Sequence, residues 1–462
     1  MKHKQHSLIS LFTGAGGLDL GLEQAGFETL VANEIGAHAC ETLRQNQILS
    51  RLSPHEFNAW FSEQMGQRCY MGTPDAIATD LRSRLQSDLT KRVYLQKAKI
   101  VERDVRELSS SEVLDLAGVK KGEIDLIAGG PPCQPFSRAG KRESVNTNTG
   151  RLFKDFVRLV DEVRPRWFLF ENVKGLTLTK APLAHLYCRS CSKTHLVNFD
   201  DWEALQSGEK DVLSCYSCAA DSTSVTWQDK AGGSLDIILN EFTQIGYECR
   251  HKILNAADFG APQQRERLLI VGSRDGESFQ WPEPTHGKSQ EDAEATLFDF
   301  DKLEPWRGMG EALWPEGHWK YGKLGKDAVL WVKNVVRPHD EPVTWGLKRS
   351  SPTIGAHQGA KLALAPFGVP GDQLFRQQWH TLGRRQGDTP PVFVEHEYLT
   401  DLELMRLQTF PDNWYLYGTR MERAFQIGNA VPPVLARVVG DAIVSAMGAM
   451  RSMGNTKICK SA

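Results

Sequence analysis

The sequence predicts an α/β fold built on a doubly wound sheet, and two observations favour it. Residues 8–12 form a short apolar run, the glycine-rich segment 13–17 follows, and the amphipathic stretch 18–25 leads to a second apolar run at 29–32. This is the pattern of a β-loop-α-β unit. The apolar run 124–128, followed by two glycines and two prolines, is typical of a buried parallel strand.

The remaining elements alternate in the same way. We expect a third strand around residues 100–101 and a strand at 167–170 that ends at Glu171 and Asn172. Another strand is predicted at 268–272. Helical spacing of apolar residues predicts four more helices, at 153–163, 235–245, 399–407 and 432–447.

Two insertions and a change of composition divide the chain. Segment 47–99 is mostly polar with helical spacing of its apolar residues, and segment 181–230 has few apolar residues and carries four cysteines. After residue 275 periodicity is lost until about residue 395. We expect a first domain at 1–275 that contains both insertions, a smaller loop-rich domain at 276–395, and a C-terminal segment at 396–462 that returns to the first.

Length, charge and composition limit the classes of protein to which this chain can belong. A chain of 462 residues is long enough for about three domain-sized units. Its net charge of −2 means that any nucleic-acid contact comes from a locally basic cleft. Four of the nine cysteines form two Cys-x-x-Cys pairs, which favours metal binding in a reducing compartment. No run approaches about 18 apolar residues, so we expect a cytoplasmic protein without a membrane span.

Cys133 is the first candidate for chemistry. It follows Pro131 and Pro132 directly after a predicted strand, so the thiol is expected on a loop at the carboxyl end of the sheet. A buried structural cysteine is the alternative interpretation, and the loop-forming flanks argue against it.

Three further segments suit an adenosine-containing cofactor. Phe12, Gly14 and Gly16 lie in a loop whose glycines let backbone approach a ligand. Glu34 ends the next strand, where a carboxylate suits ribose hydroxyls, and Asp104 ends the third strand. Either acid alone is as readily explained as a capping residue.

Glu171 and the segment 263–267 complete the set. A carboxyl beside apolar residues has a raised pKa and can donate a proton near neutral pH. Alternation places Gln263, Arg265 and Arg267 on one face of an extended segment, where guanidinium groups suit phosphate or carbonyl oxygens. A solvated edge strand with surface ion pairs is the alternative for this segment.

Together these groups suggest methyl transfer to cytosine. Carbon 5 of cytosine is a poor nucleophile, but addition of a thiolate at carbon 6 with protonation of N3 produces an enamine that attacks an electrophilic methyl group. Removal of the C5 proton and loss of the thiolate complete the reaction.

The chain resembles the cytosine-5 DNA methyltransferases of bacterial restriction–modification systems. The resembling residues stand in the family's usual order: 12–17, Glu34, Asp104, 131–134, 171–173, Gln263-x-Arg265-x-Arg267, 406–412 and 426–433. The resemblance implies a Rossmann-like fold with a smaller target-recognition domain at 276–395, binding of S-adenosylmethionine, and flipping of the target base out of duplex DNA.

The resemblance also implies residue roles. Cys133 would be the nucleophile, Glu171 would hold N3 and the exocyclic amine of cytosine, Arg267 would contact the carbonyl oxygen, and Arg265 would contact a phosphate or the loop after Cys133. The residues expected to line the cofactor pocket are Phe12, Gly14, Gly16, Glu34, Asp104, Gly130, Leu152 and Asn429. The segment 426–433 and the helix after it would pack beside the N-terminal strand. We expect a monomer that binds duplex DNA, with a restriction endonuclease acting on the same site.

The second insertion departs from this pattern. Its two Cys-x-x-Cys pairs predict a structural four-thiolate zinc site formed by Cys188, Cys191, Cys215 and Cys218. A metal would supply folding energy that a segment poor in apolar residues lacks. His185 and His195 lie nearby and are expected to be surface histidines.

Three other functions share parts of this pattern. A cytosine-5 tRNA methyltransferase shares these motifs, but the long region 276–395 favours recognition of a DNA sequence. A non-catalytic DNA-binding protein would not need Cys133, Glu171, Arg265 and Arg267. A nicotinamide dehydrogenase explains the glycine loop and nothing else.

Overall fold

Seven strands form the central sheet of the protein. The computed structural model describes residues 5–67, 75–87, 94–132, 152–288, 303–313, 329–332, 343–346, 349–356, 362–365 and 397–458. The strands of the sheet are β1 (His6–Leu11), β2 (Phe27–Glu34), β3 (Lys99–Glu102), β4 (Leu126–Gly129), β5 (Trp167–Val173), β9 (Glu248–Asn255) and β10 (Glu266–Ser273).

The order of the sheet is β3-β2-β1-β4-β5-β10-β9. Neighbouring strands from β3 to β5 are parallel, as the sequence predicts. Strand β10, for which the sequence predicted no direction, runs antiparallel to both β5 and β9. Strand β10 is buried along nearly all of its length, and an apolar run buried on both faces gives no sign of strand direction. Strand β9 was not predicted.

Helices cover the sheet and fill the insertions. Those of the first 250 residues are α1 (Gly17–Gln24), α2 (Ala37–Leu49), α3 (Pro54–Met65), α4 (Asp75–Gln86), α5 (Ser110–Ala117), α6 (Leu152–Val163), α7 (Phe199–Ser207) and α8 (Gly233–Gln244). Helix α6 has a strongly amphipathic sequence, and its apolar stripe packs on the sheet through Phe156 and Val160. The helices predicted at 153–163 and 235–245 are therefore confirmed.

The described part of segment 47–99 is helical, as predicted. Ser53 and Glu56 form a capping box at the start of α3, with Pro54 at the first helical position. The side chains of Phe57 and Trp60 pack with Tyr415 in a satellite core. The insertion thus supports the C-terminal segment near residue 415.

The segment 181–230 forms a small sheet, and α7 lies between its second and third strands. The strands are β6 (Lys180–Cys188), β7 (Thr194–Leu196) and β8 (Thr223–Ala231), in the order β7-β6-β8. The expectation that this segment has few apolar side chains to bury is wrong. Leu183, Leu186, Phe199 and Trp202 are all nearly inaccessible and join the core beneath the central sheet.

After residue 276, the described residues include β11 (His286–Gly287), β12 (Glu304–Pro305) and α9 (Met309–Leu313). A four-stranded antiparallel sheet has the order β14-β13-β15-β16, with β13 (Val329–Val332), β14 (Val343–Gly346), β15 (Leu362–Ala365) and β16 (Glu397–Tyr398).

The C-terminal segment folds back onto the first domain. Its helices are α10 (Asp401–Leu407), α11 (Arg420–Asn429) and α12 (Pro433–Ile458), of which α11 was not predicted as a helix. Helix α12 packs on α1 so closely that a Cβ added to Gly21 would lie 2.3 Å from the Pro433 carbonyl oxygen. The expected packing of this segment beside the N-terminal strand is confirmed, because Leu435 and Val439 lie in the same buried core as Leu8.

One helical stretch, Arg420–Gly448, has the length and hydropathy of a membrane span, and half of its most apolar window is buried inside the protein. The α1 contact explains that burial, and core helices of folded domains commonly have this composition.

Candidate functional site

The carboxyl ends of β1, β2, β3 and β4 meet at one edge of the sheet, and the predicted site residues gather there. Strand β4 ends at Gly129 and is followed by Gly130, Pro131 and Pro132. Cys133 itself lies outside the described residues. A Cβ added to Gly130 would lie 2.4 Å from Oε2 of Glu171, so only glycine allows this close approach. The segment leading to Cys133 therefore lies directly against Glu171.

Glu171 and Arg267 form an ion pair at this edge. Strands β5 and β10 are neighbours, and the Nε of Arg267 lies 2.8 Å from Oε1 of Glu171. Both side chains are largely buried, at 12% exposed for Glu171 and 10% for Arg267. Burial raises the pKa of the Glu171 carboxyl above its ordinary value, although the charges of Arg267 and Arg265 oppose this. A carboxyl of this kind can hold a proton beside a fixed cation.

Arg265 lies deeper than the sequence suggested. The residue is 1% exposed, and its guanidinium donates to the carbonyl oxygens of Ile354 (2.9 Å) and Gly428 (2.7 Å). Contact with a phosphate was one expectation for this residue, and in this conformation the group is instead occupied by backbone oxygens. Arg265 therefore joins β10 to residue 354 and to the end of α11.

Gln263 makes a similar set of contacts. Its side-chain Nε2 donates to Oε1 of Gln408 (2.5 Å), and its side-chain Oε1 accepts from the N–H of Ile354 (3.0 Å). The alternative of a solvated edge strand for 263–267 is wrong, because Gln263, Arg265 and Arg267 are all buried. Gln408 was not predicted as a partner, since nothing in the linear pattern of residues relates it to Gln263.

The glycine-rich loop after β1 has the backbone conformation expected of a ligand cradle. Phe12, Gly14 and Gly16 all have positive φ angles, of 55°, 57° and 83°. Among the described residues, no neighbouring atom lies within 4 Å of the position that a Cβ would take on Gly14. The N–H of Gly14 donates to Oε2 of Glu34 (2.8 Å), so loop and acid are brought together as predicted. Oε1 of Glu34 accepts from the N–H of Gly36 (2.7 Å).

The other predicted cofactor residues stand at the same edge or near it. Asp104 caps the short 3-10 helix Val105–Glu107 and pairs with Arg106, which lowers the pKa of the Asp104 carboxyl. Leu152 is the first residue of α6 and is half-buried, and Asn429 is the exposed last residue of α11. These residues fit an adenosyl cofactor. Their carboxylates can accept hydrogen bonds from hydroxyl and amino groups, and the open glycine loop allows close contact with a ligand.

The four predicted zinc ligands come together in the second insertion. The Sγ atoms of Cys188, Cys191, Cys215 and Cys218 all lie within 4.8 Å of one another, and two of the pairs are 3.6 Å apart. Tetrahedral zinc with bonds of about 2.3 Å separates its sulfur ligands by about 3.8 Å. The geometry of this cysteine cluster therefore suits zinc.

The two histidines near the cluster are half-buried. The Nε2 of His185 is buried and has no hydrogen-bond partner among the described residues. Nε2 of His195 lies 3.7 Å from Sγ of Cys215 and 3.3 Å from Oγ of Ser217. The expectation of surface histidines therefore holds only in part, since both residues are half-buried.

Comparison with known proteins decides the family. The sequence model of the C-5 cytosine-specific DNA methylase family matches residues 6–57, 85–186 and 227–445. The chain belongs to this family. It is therefore a DNA (cytosine-5-)-methyltransferase. The unmatched stretches include most of the two insertions recognised from the sequence.

Curated relatives of the methyltransferase cover most of its length. Type II methyltransferase M.AquIA of a Picosynechococcus species is 32% identical over 309 residues, which are 67% of this chain and 88% of that protein. M1.HphI of Haemophilus parahaemolyticus is 26% identical, over 94% of this chain and 86% of its own. M.XorII of Xanthomonas oryzae pv. oryzae is 28% identical, over 95% of this chain and 84% of that protein.

Proposed function

We propose that this methyltransferase is the modification enzyme of a type II restriction–modification system and methylates one cytosine within a specific duplex DNA sequence. Its relatives carry the name type II methyltransferase. The observation that carries the catalytic part is the buried Glu171–Arg267 pair, which lies against Gly130 three residues before Cys133.

The proposed cofactor is S-adenosylmethionine, which supplies an electrophilic methyl group when bound. Phe12, Gly14 and Gly16 would cradle its methionyl part, and Glu34 would bind the ribose hydroxyls. Asp104 would accept from the adenine amino group. Gly130, Leu152 and Asn429 would complete the walls of the pocket.

The proposed reaction uses Cys133 as nucleophile and Glu171 as acid. The target base is flipped out of the helix, since its ring face is unreachable inside the stack. The Cys133 thiolate adds to carbon 6 while the Glu171 carboxyl donates its proton to N3, and the guanidinium of Arg267 binds the carbonyl oxygen. Carbon 5 would then take up the methyl group, with S-adenosylhomocysteine as the leaving group. A base removes the C5 proton, the C5–C6 double bond re-forms as the thiolate leaves, and N3 returns its proton to Glu171. Arg265 is a positioning residue here, because it holds β10 against the chain near Ile354 and Gly428.

Three further assignments accompany this function. Residues 1–275 would be the catalytic domain, 276–395 the target-recognition domain that contacts base edges in the major groove, and 396–462 the returning segment. The four cysteines would hold one structural zinc ion. The enzyme would act as a cytoplasmic monomer alongside an endonuclease of the same specificity.

The test is methyl transfer from labelled S-adenosylmethionine to duplex DNA and, in parallel, to tRNA, with bisulfite sequencing of the DNA. We expect label in DNA at one recurring short sequence. Label in tRNA alone would assign the enzyme to the RNA-modifying class, and label in neither would contradict the proposed activity.

A further inference from the structure

The cysteine cluster is connected to the start of helix α7 through Tyr216, which lies between Cys215 and Cys218. The hydroxyl of Tyr216 donates to Oδ2 of Asp201 (2.8 Å) and accepts from the N–H of Asn198 (3.3 Å). Asn198 caps α7 by accepting from the N–H of Asp201 (2.8 Å). One side chain of the cluster loop thus binds both residues that fix the first turn of α7.

The same turn of α7 holds the start of helix α6. Lys154 of α6 places its Nζ 2.8 Å from Oδ1 of Asp200 and 3.0 Å from Oε2 of Glu241. The N–H of Phe199 donates to Oε1 of Glu241 (2.7 Å), so both oxygens of that carboxylate are engaged. The ring of Phe153 meets that of Phe199 edge to face, with centroids 5.2 Å apart.

These contacts are of a kind that couples two elements. The Glu241 side chain is 8% exposed, and a largely buried carboxylate that loses one partner is costly to leave unpaired. Phe153 and Phe199 are nearly inaccessible, so the two helices meet through a packed core with little freedom to slide.

We infer that the cysteine-cluster insertion is a positioning device for the cofactor pocket. The cluster sets the first turn of α7 through Tyr216, and α7 sets the first turn of α6 through Lys154 and Phe153. Leu152, the preceding residue, is a proposed wall of the cofactor pocket, so this inference rests on the proposed function. Metal binding and cofactor binding are then thermodynamically linked, although neither Tyr216 nor Lys154 belongs to the proposed cofactor pocket.

The first variant to test is Tyr216→Phe in the full-length protein. It removes the hydroxyl and keeps the ring, and we expect the dissociation constant of S-adenosylmethionine, measured by titration calorimetry, to rise about fivefold. The zinc content and kcat at saturating cofactor should stay near those of the wild type. The matched control is Lys210→Met, which removes a solvent-side partner of the same Asp201 (Nζ–Oδ1 2.7 Å) and should leave the dissociation constant unchanged. Equal weakening in both variants, or in neither, would overturn the inference.

The second arm tests the far end of the chain of contacts. Lys154→Met should weaken cofactor binding about five- to tenfold, and Lys154→Arg should restore most of it, because the charge between Asp200 and Glu241 is kept. Cys218→Ser should lose the metal and weaken cofactor binding at least as much as Tyr216→Phe. Loss of metal without any change in cofactor affinity would overturn the inference. Wild-type protein that binds no S-adenosylmethionine at all would instead contradict the proposed function.

Discussion

At the scale of a single residue, the proposed chemistry depends most on the side chain of Glu171. It lies against Gly130 and pairs with Arg267, and burial keeps the pKa of its carboxyl above the ordinary value. The sequence located this residue at the end of an apolar strand. Its ion pair with Arg267 was not predicted, because it depends on the antiparallel pairing of β5 with β10.

Glu171→Gln should abolish measurable turnover while S-adenosylmethionine still binds. Glutamine keeps the shape but cannot donate a proton to N3, and loss of a general acid typically costs 10²- to 10⁴-fold in rate. Single-turnover methylation and cofactor titration on the same preparation check this. Glu266→Gln, which changes the exposed partner of Lys174, is the control and should stay near the wild-type rate.

The wild-type rate should also depend on pH through this residue. The reaction needs the protonated carboxyl, so the single-turnover rate should fall as pH rises through the raised pKa of Glu171. A rate that increases steadily with pH up to the alkaline limit would speak against Glu171 as the acid.

Asp19 gives a residue-scale prediction about stability. It is fully buried in α1 near Ser10, and burial raises the pKa of its carboxyl to about 7. The folded protein therefore holds this proton more tightly than the unfolded chain does. Stability should fall as pH rises from about 4 towards 7, with a total loss of a few kcal/mol.

Asp19→Asn removes that titration. Denaturant unfolding at a series of pH values should show a smaller decline for the variant between pH 4 and 7 than for the wild type. The two curves running parallel would contradict the assignment to Asp19.

Helices α1 and α12 show what element-scale packing requires. Their contact depends on Gly21, where an added Cβ would overlap the Pro433 carbonyl. Gly21→Ala should therefore cost about 1–3 kcal/mol, the usual penalty of overpacking. The control is Gly448→Ala in α12, where no described neighbour lies within 4 Å of the added Cβ and where alanine should stabilise the helix slightly. Urea unfolding of both variants measures the difference, and equal stabilities would contradict the close approach.

The cysteine cluster gives a second prediction at this scale. Purified protein should contain about one zinc ion per chain, measured by plasma mass spectrometry in the absence of chelators. Wild-type protein without any bound metal would rule out the four-thiolate site.

Helices and strands were predicted well wherever their apolar residues follow a clear period. They were predicted poorly where their position depends on contacts with distant segments. Strands β1 to β5 and helices α1, α6 and α8 follow from local patterns of apolar residues. The direction of β10, the existence of β9 and the helix α11 do not, because pairing between strands and burial against distant segments leave little local signal. The insertion at 181–230 was judged poor in apolar residues, yet Leu183, Leu186 and Trp202 reach the main core.

At the scale of the whole molecule, the C-terminal segment closes the site. Arg265 and Gln263 hold the chain at Ile354, and Arg265 also holds Gly428, while α12 packs on α1 beneath the glycine-rich loop. The sequence motifs predicted that distant segments would meet at one edge of the sheet. The particular hydrogen bonds that fix them depend on the tertiary fold, and no linear spacing encodes them.

The central claim is that Cys133 adds covalently to carbon 6 of a flipped cytosine. Duplex DNA that carries 5-fluorocytosine at the target position tests it most directly, because fluorine does not leave carbon 5 as a proton does. With S-adenosylmethionine present, we predict a stable protein–DNA adduct on denaturing gels, with the modified peptide mapped to Cys133 and no adduct for Cys133→Ser. No adduct on a duplex that the enzyme methylates in its unfluorinated form, or an adduct mapped to another residue, would contradict this mechanism.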